Sequence, residues 1–321
     1  MSYSKKLLQF IKKGYKITKD DALKLCDEPI DELCNAANEL RNYFCKNSFD
    51  ICTIINAKSG KCSENCKYCA QSIHYSTHIK EYPLLDIKDI VKESEYNASR
   101  GILRFSVVTS GRTLSDDEVD QLCECYREMK ARGKIALCAS HGLLTIEQFK
   151  KIKDAGVSRY HNNLETSRRF FPSICTTHTY DDKIKTIKNA QSVGLEVCSG
   201  GIIGLGESMK DRMDMIFDLR ELGIQSIPVN VLNPIKGTPL ENLNRISKEE
   251  ILKTVAIFRF VIPEAAIRLA GGRGLMEDKG ESAFVGGSNA AISGDMLTTL
   301  GISIDEDMEV LHNLGFEVKI I

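Results

Sequence analysis

From residue 51 onward, short apolar runs alternate eight times with longer amphipathic stretches, and that rhythm admits few folds. The runs are Ile51–Asn56, Ile102–Thr109, Ile135–Ala139, Val157–Leu164, Leu195–Ile203, Ile224–Leu232, Ala265–Ala270 and Ala283–Gly287. Each is short, as a strand in a buried parallel sheet should be. Between them, Thr145–Ala155 repeats Ile146, Phe149 and Ile152 on one helical face, and Tyr180–Val193 repeats Ile184 and Ile187. Gly101, Gly133, Gly156, Gly194 and Gly223 stand where those helices should stop. Strand–helix alternation of this kind predicts a parallel sheet with helices outside it, and eight strands predict an α/β fold, a (β/α)8 TIM-type barrel. No linker or repeat divides the 321 residues. The expectation is therefore one domain: a helical N-terminal extension over 1–50, the barrel over 51–300 and a C-terminal tail over 301–321.

Composition narrows the function. A net charge of -1 offers no electrostatic footprint for nucleic acid or an anionic membrane. No apolar run approaches the ~20 residues that span a bilayer. The stretch MSYSKKLLQFIKKGYK lacks the apolar core and cleavage site of a secretory signal, so a cytoplasmic location is expected. All twelve cysteines fall before residue 199 of a long chain. A secreted disulfide scaffold would be short and cysteine-dense throughout, so the bias points to metal or cluster binding in a reducing compartment.

The densest group is Cys62-Ser-Glu-Asn-Cys66-Lys-Tyr-Cys69, a C-x3-C-x2-C loop just after the first strand. Three thiolates can hold three irons of a 4Fe-4S cubane and leave the fourth iron open. That iron can chelate the amino and carboxylate groups of S-adenosylmethionine, and a low-potential cluster (about −400 mV in ferredoxin-type centres) can reduce the sulfonium. Zinc is the rival occupant; a structural zinc site wants four protein ligands, and no second knuckle follows.

This spacing after strand one resembles the radical S-adenosylmethionine superfamily. In that resemblance Tyr68 lies against the adenine, and Gly200, Ile202, Gly204 and Glu207 form a G-x-I-x-G-x-x-E element on strand five that serves the cofactor. Longer strings resemble one family in particular, the biotin synthases: Asn163-Leu-Glu-Thr-Ser, Thr176-Thr-His-Thr-Tyr180, Ile227-Pro-Val-Asn-Val-Leu and Ile267-Arg-Leu-Ala-Gly-Gly-Arg273. The likeness runs in unbroken order over residues 40 to 300. It implies sulfur insertion into dethiobiotin, with the sulfur drawn from an auxiliary iron–sulfur cluster deeper in the barrel.

The resemblance carries Cys138, Cys198 and Arg268 over as ligands of that auxiliary cluster, but the usual strand-two cysteine is Ser106 here. A hydroxyl is a harder and poorer ligand for cluster iron than a thiolate. Cys52 on strand one is the expected replacement, with Cys175 in reserve, and the cluster is either 2Fe-2S or a four-iron variant. By the same resemblance Asn163 and Asn230 bind the ureido ring, Glu165 bonds the ribose and Lys183 takes the methionine carboxylate. A flavodoxin- or ferredoxin-type reductant, cluster-assembly proteins and a homodimeric state are also implied.

Two further readings stay open on the residues alone. A related radical enzyme, of the hydrogenase-maturation or methylornithine-synthase type, would share the loop without needing Cys138, Cys198 and Arg268 together. A cluster carrier would need an exposed cluster and no pocket. His74, His78, His141, His161 and His178 show no zinc spacing and are expected to be surface or core residues. Cys26, Cys34, Cys45, Cys123 and Cys125 are expected to be structural, the last two on a charged helix facing solvent.

Overall fold

The computed structural model describes residues 1–321. Ten strands are present: β1 Ser48–Lys58, β2 Arg104–Thr109, β3 Ala136–Ser140, β4 Arg159–His161, β5 Glu196–Cys198, β6 Gly201–Ile203, β7 Ser226–Val231, β8 Ala266–Leu269, β9 Ala290–Ile292 and β10 Glu317–Val318. They pair in parallel around a ring, and β9 returns to β1 through Asp50↔Ala290, Ile51↔Ala291 and Cys52↔Ile292, closing the barrel. One apolar cluster of 71 buried residues lies between the strands and the helices outside them.

The helices begin where side chains can satisfy their first free N–H groups. Thr18, Ser115, Thr145, Thr179, Ser208 and Ser303 each accept from the backbone three residues on, and the side chain there returns the bond. Such a reciprocal cap is worth about 1 kcal/mol per helix end. At the other end, Gly133 closes Asp116–Arg132 in the left-handed conformation expected of a terminal glycine. No helix is long and apolar enough to cross a membrane.

The structure corrects the sequence reading in four places. Ala283–Gly287 is not the closing strand: Glu281–Phe284 is a helical turn, and the strand is Ala290–Ile292. Residues 301–321 fold as the helix Ile304–Asn313 and β10, which pairs with Ser48 and Phe49 of β1. The run Leu195–Ile203 splits into β5 and β6, because β7 opposes the break with Pro228, which has no N–H to give the ladder. A Cβ on Gly200 would lie 1.9 Å from the Pro228 carbonyl oxygen, so only glycine permits this approach. Cys123 and Cys125 are buried, not solvent-facing, because the helix that carries them is wedged between Ile87–Ser99 and Ile146–Asp154.

Candidate active site

Alternation along the strands turns every second residue into the barrel. Cys52 and Ile54 of β1, Arg104, Ser106 and Val108 of β2, and Cys138 of β3 face one cavity of about 410 Å³. Arg159 and His161 of β4, Cys198 of β5, Asn230 of β7 and Arg268 of β8 complete its wall. The mouth lies at the C-terminal ends of the strands, and two thiols of the C-x3-C-x2-C loop, Cys62 and Cys69, look into it.

The floor is dominated by charge. Asp50, fully buried, accepts from Arg268 Nη2 at 2.9 Å and from Arg104 Nε at 3.1 Å, with Arg159 at 3.8 Å. Burial pushes the Asp50 carboxyl up, and Arg268 and Arg104 more than offset it, holding it below the usual carboxylate range. Glu196, a largely exposed carboxylate, takes Arg159 Nη2 at 2.9 Å. Three guanidinium groups thus meet two carboxylates, and the surplus positive charge faces Cys52, Cys138 and Cys198.

Arg268 Nη1 donates to the Cys52 sulfur at 3.2 Å. Burial raises Cys52 to about 12 and raises Cys138 as well. Burial also pushes Cys198 up, but hydrogen bonding with His161 and the charges of Arg268 and Arg159 bring it down to about 6. The three thiols are close enough that Cys138 and Cys198 each perturb Cys52. A ring of three buried thiols under surplus positive charge suits an anionic iron–sulfur cluster.

The amides stand higher. Cys198 is in register with His161 and Ser226, so Asn163 lies one pleat above it and Asn230 two, at roughly 6–7 Å per pleat. Asn163 Oδ1 accepts from Gly200 N at 3.0 Å, and its Nδ2 donates to Glu165 at 3.3 Å. Asn230 Nδ2 donates to the Gly201 carbonyl at 3.0 Å, while its Oδ1 accepts from Gly271 N at 2.9 Å. Each amide keeps one N–H and one lone pair for a ligand. Glu165 adopts φ +70°, unusual for a residue with a side chain, and is held there by Glu165 N to Gly200 O at 3.1 Å and Ile202 N to Glu165 O at 2.8 Å. Tyr68, Ile202 and Lys183 also line the cavity.

Other predicted residues lie outside it. Gly204 and Glu207 do not line the cavity: Glu207 Oε1 accepts from Gly204 N at 2.9 Å and Arg212 Nε at 2.6 Å, and shapes the turn after β6. Cys175 is not near the floor. Its sulfur sits 3.7 Å from that of Cys66, in the loop before Tyr180–Ser192, so it drops out as an auxiliary ligand. Two of the histidines expected to be surface or core residues stand beside cysteines. His161 faces the cavity beside Cys198, and His178 Nδ1 lies 3.3 Å from the Cys175 sulfur. Its place at the end of β4, in register with Cys198, turns the first inward; no spacing in the sequence signals the second, which meets Glu64 across 114 positions.

Comparison with known proteins agrees with this geometry. Residues 57–219 match the Radical SAM superfamily and residues 228–317 the Biotin and Thiamin Synthesis associated domain. The chain is 58% identical over 318 residues to the biotin synthase of Clostridium botulinum strain Hall, covering 99% of each. It is 55% identical over 319 residues to that of Akkermansia muciniphila, again covering 99% of each. The fold matches methylornithine synthase with a TM-score of 0.84 at 18% identity, covering 99% of this chain and 98% of that one. It matches the FeFe-hydrogenase maturase of Carboxydothermus hydrogenoformans at 0.83 and 16%, covering 98% and 78%. With the cysteine loop at the mouth of a closed barrel and a full-length likeness above 50%, the chain belongs to the biotin synthase family of radical S-adenosylmethionine enzymes.

Proposed function

We propose that this chain inserts sulfur between two unactivated carbons of dethiobiotin, closing the ring of biotin. The observation that supports it is the vertical order of one cavity. Cys62 and Cys69 stand at the mouth, Asn163 and Asn230 in the middle, and Cys52, Cys138, Cys198 and Arg268 on the floor.

Breaking such C–H bonds lies beyond acid–base catalysis. When bound, a 4Fe-4S cluster on Cys62, Cys66 and Cys69 with S-adenosylmethionine supplies a carbon-centred radical, and an auxiliary cluster supplies the sulfur. The chain's residues do the positioning. The free N–H and lone pair of Asn163 and Asn230 match the donor and acceptor edges of a cyclic urea, and hold the reacting carbons between the two groups of thiols. Tyr68 offers a flat face for adenine, Glu165 an acceptor for the ribose hydroxyls, and Lys183 a point charge for the methionine carboxylate. Ile54, Val108 and Ile202 present apolar walls that keep water from a reactive radical. Cys52, Cys138, Cys198 and Arg268 hold the auxiliary cluster, and three thiolates suit a four-iron centre with one iron free to carry sulfide. Ser106 lies in register with Cys138, so its weak hydroxyl leaves that side of the floor to Cys52.

The same reading implies a cytoplasmic homodimer served by a flavodoxin- or ferredoxin-type reductant and by cluster-assembly proteins. Twelve unpaired thiols are consistent with a reducing compartment.

The test is an anaerobic reaction of reconstituted protein with dethiobiotin, S-adenosylmethionine and a strong reductant, followed by mass spectrometry. Biotin formed together with 5′-deoxyadenosine is the expected result. Release of 5′-deoxyadenosine without biotin, from protein with both clusters intact, would refute the substrate.

A further inference from the structure

Of the three loop thiols, Cys62 and Cys69 face the cavity while Cys66 turns away from it. The Cys66 sulfur lies 3.7 Å from the sulfur of buried Cys175, and Cys175 lies 3.3 Å from Nδ1 of buried His178. Their three donor atoms fall within 4.8 Å of one another. On a tetrahedral zinc with Zn–S near 2.3 Å and Zn–N near 2.0 Å, two sulfurs stand about 3.8 Å apart and a sulfur and a nitrogen about 3.5 Å apart. The Cys66–Cys175 and Cys175–His178 spacings are close to those values for one small tetrahedral ion.

We propose that, when the loop carries no cluster, Cys66, Cys175 and His178 bind a single divalent cation of the zinc and ferrous class. Glu64 is the fourth donor. Its carboxylate is buried, accepts from Thr177 Oγ1 at 2.7 Å and touches the same His178 Nδ1, and it completes the shell by moving off that nitrogen onto the ion. Two thiolates, a neutral imidazole and a carboxylate leave a net charge of −1 on a divalent ion, and Arg112, 3.5 Å from Glu64, offsets it. Cys66 is partly exposed and gives the ion a way in. The inference rests on the reading of Cys66 as a cluster ligand in one respect: the two occupancies exclude each other, so an ion held here withholds one thiolate from cluster assembly.

The probe is cobalt(II), titrated anaerobically into the full chain after its clusters are removed. One equivalent with the intense visible bands of tetrahedral cobalt and a thiolate charge-transfer band is expected. Cys175→Ala and His178→Ala should each weaken binding by roughly tenfold or more and change those bands, whereas Cys62→Ala should leave them in place. Cys175→Ser, with circular dichroism as the folding control, serves if the histidine variant does not fold. Unchanged bands in both the Cys175 and His178 variants, or their loss in Cys62→Ala, would put the metal on the loop triad and overturn the proposal. So would unchanged cobalt binding by the cluster-loaded chain, since Cys66 would then not be shared. None of these results bears on dethiobiotin turnover, which the biotin assay reads separately.

Discussion

Arg268 reaches Cys52 across an intervening strand: its Nη1 lies 3.2 Å from the sulfur, passing over Ala290, which is in register with both Asp50 and Arg268. A methyl group at that position leaves room for the guanidinium to cross. This contact makes Cys52 the thiol most closely tied to the arginine on the floor. In Cys52→Ala, iron and sulfide should fall to the content of the loop cluster alone, whereas Cys175→Ala should keep both clusters. Full iron and sulfide in Cys52→Ala would remove it from the ligand set.

Asp50 is the fully buried counter-charge beneath that floor. Asp50→Asn leaves Arg268, Arg104 and Arg159 facing one another without it, and removing one partner from a buried ionic group costs about 3–5 kcal/mol. Urea unfolding of the cluster-free chain should show a loss of that size. A loss under about 1 kcal/mol would mean that solvent reaches these arginines.

His141 gives the stability a pH signature. Its ring sits between Thr109 Oγ1 at 3.0 Å and the Tyr126 hydroxyl at 2.8 Å, and burial lowers its pKa to about 3. The unfolded chain, with an ordinary histidine near 6.5, binds more protons between those values, so stability must rise with pH there. The contribution is complete above about pH 6.5 and is lost as pH falls toward 3, on the order of a few kcal/mol. His141→Gln should flatten the slope of unfolding free energy against pH in that window; equal slopes for the two proteins would contradict this.

Gly200 and Gly223 form a matched pair of probes. A Cβ at Gly200 meets the Pro228 carbonyl oxygen, whereas at Gly223, with φ +70°, nothing lies within 4 Å. Gly200→Ala should cost about 3 kcal/mol or more and disturb Asn163, which bonds the Gly200 N–H. Gly223→Ala should cost only about 1 kcal/mol of backbone strain. Equal melting temperatures for the two variants would count against the close approach of β5 and β7.

Lys183 separates cofactor binding from cluster assembly. Lys183→Gln should raise the KM for S-adenosylmethionine by roughly tenfold with cluster content unchanged, and Lys183→Arg should restore it, since the role asked of it is charge. An unchanged KM in Lys183→Gln would leave the carboxylate to another group.

The barrel was legible because most of its strands are short runs that follow a helix ended by a glycine. The last strand was not. Ala290–Ile292 has three residues and is flanked by Ser288 and Asn289, polar residues that gain burial only by bonding outward, Asn289 to Arg259 at 2.6 Å. Polarity hid it, and the apolar stretch Ala283–Gly287 stood in. The family resemblance pointed to Cys138, Cys198, Asn163 and Asn230, and period two along the strands is the physical reason they share the cavity face. Cys175 and His178 lie in a loop, where no period applies, and which thiol they meet is decided by how that loop folds back on residues 64–66. Cys123 and Cys125 misled for a different reason: a charged helix in an outer ring touches neighbouring helices along its flanks, so charge on one face does not mark the others as wet.

The seam of the barrel has a consequence in time. Cys52 is made early, but its strand finds its second barrel neighbour only in residues 290–292, more than 230 positions later. Contacts so distant along the chain form late, because the intervening segment must be ordered first. The floor on which Arg268 and Cys52 meet therefore has no existence during most of synthesis, and a nascent chain carries its loop thiols long before it carries the chamber beneath them. On the proposed reading, iron and sulfide for that chamber would have to enter a ring already closed, by the mouth that serves the substrate.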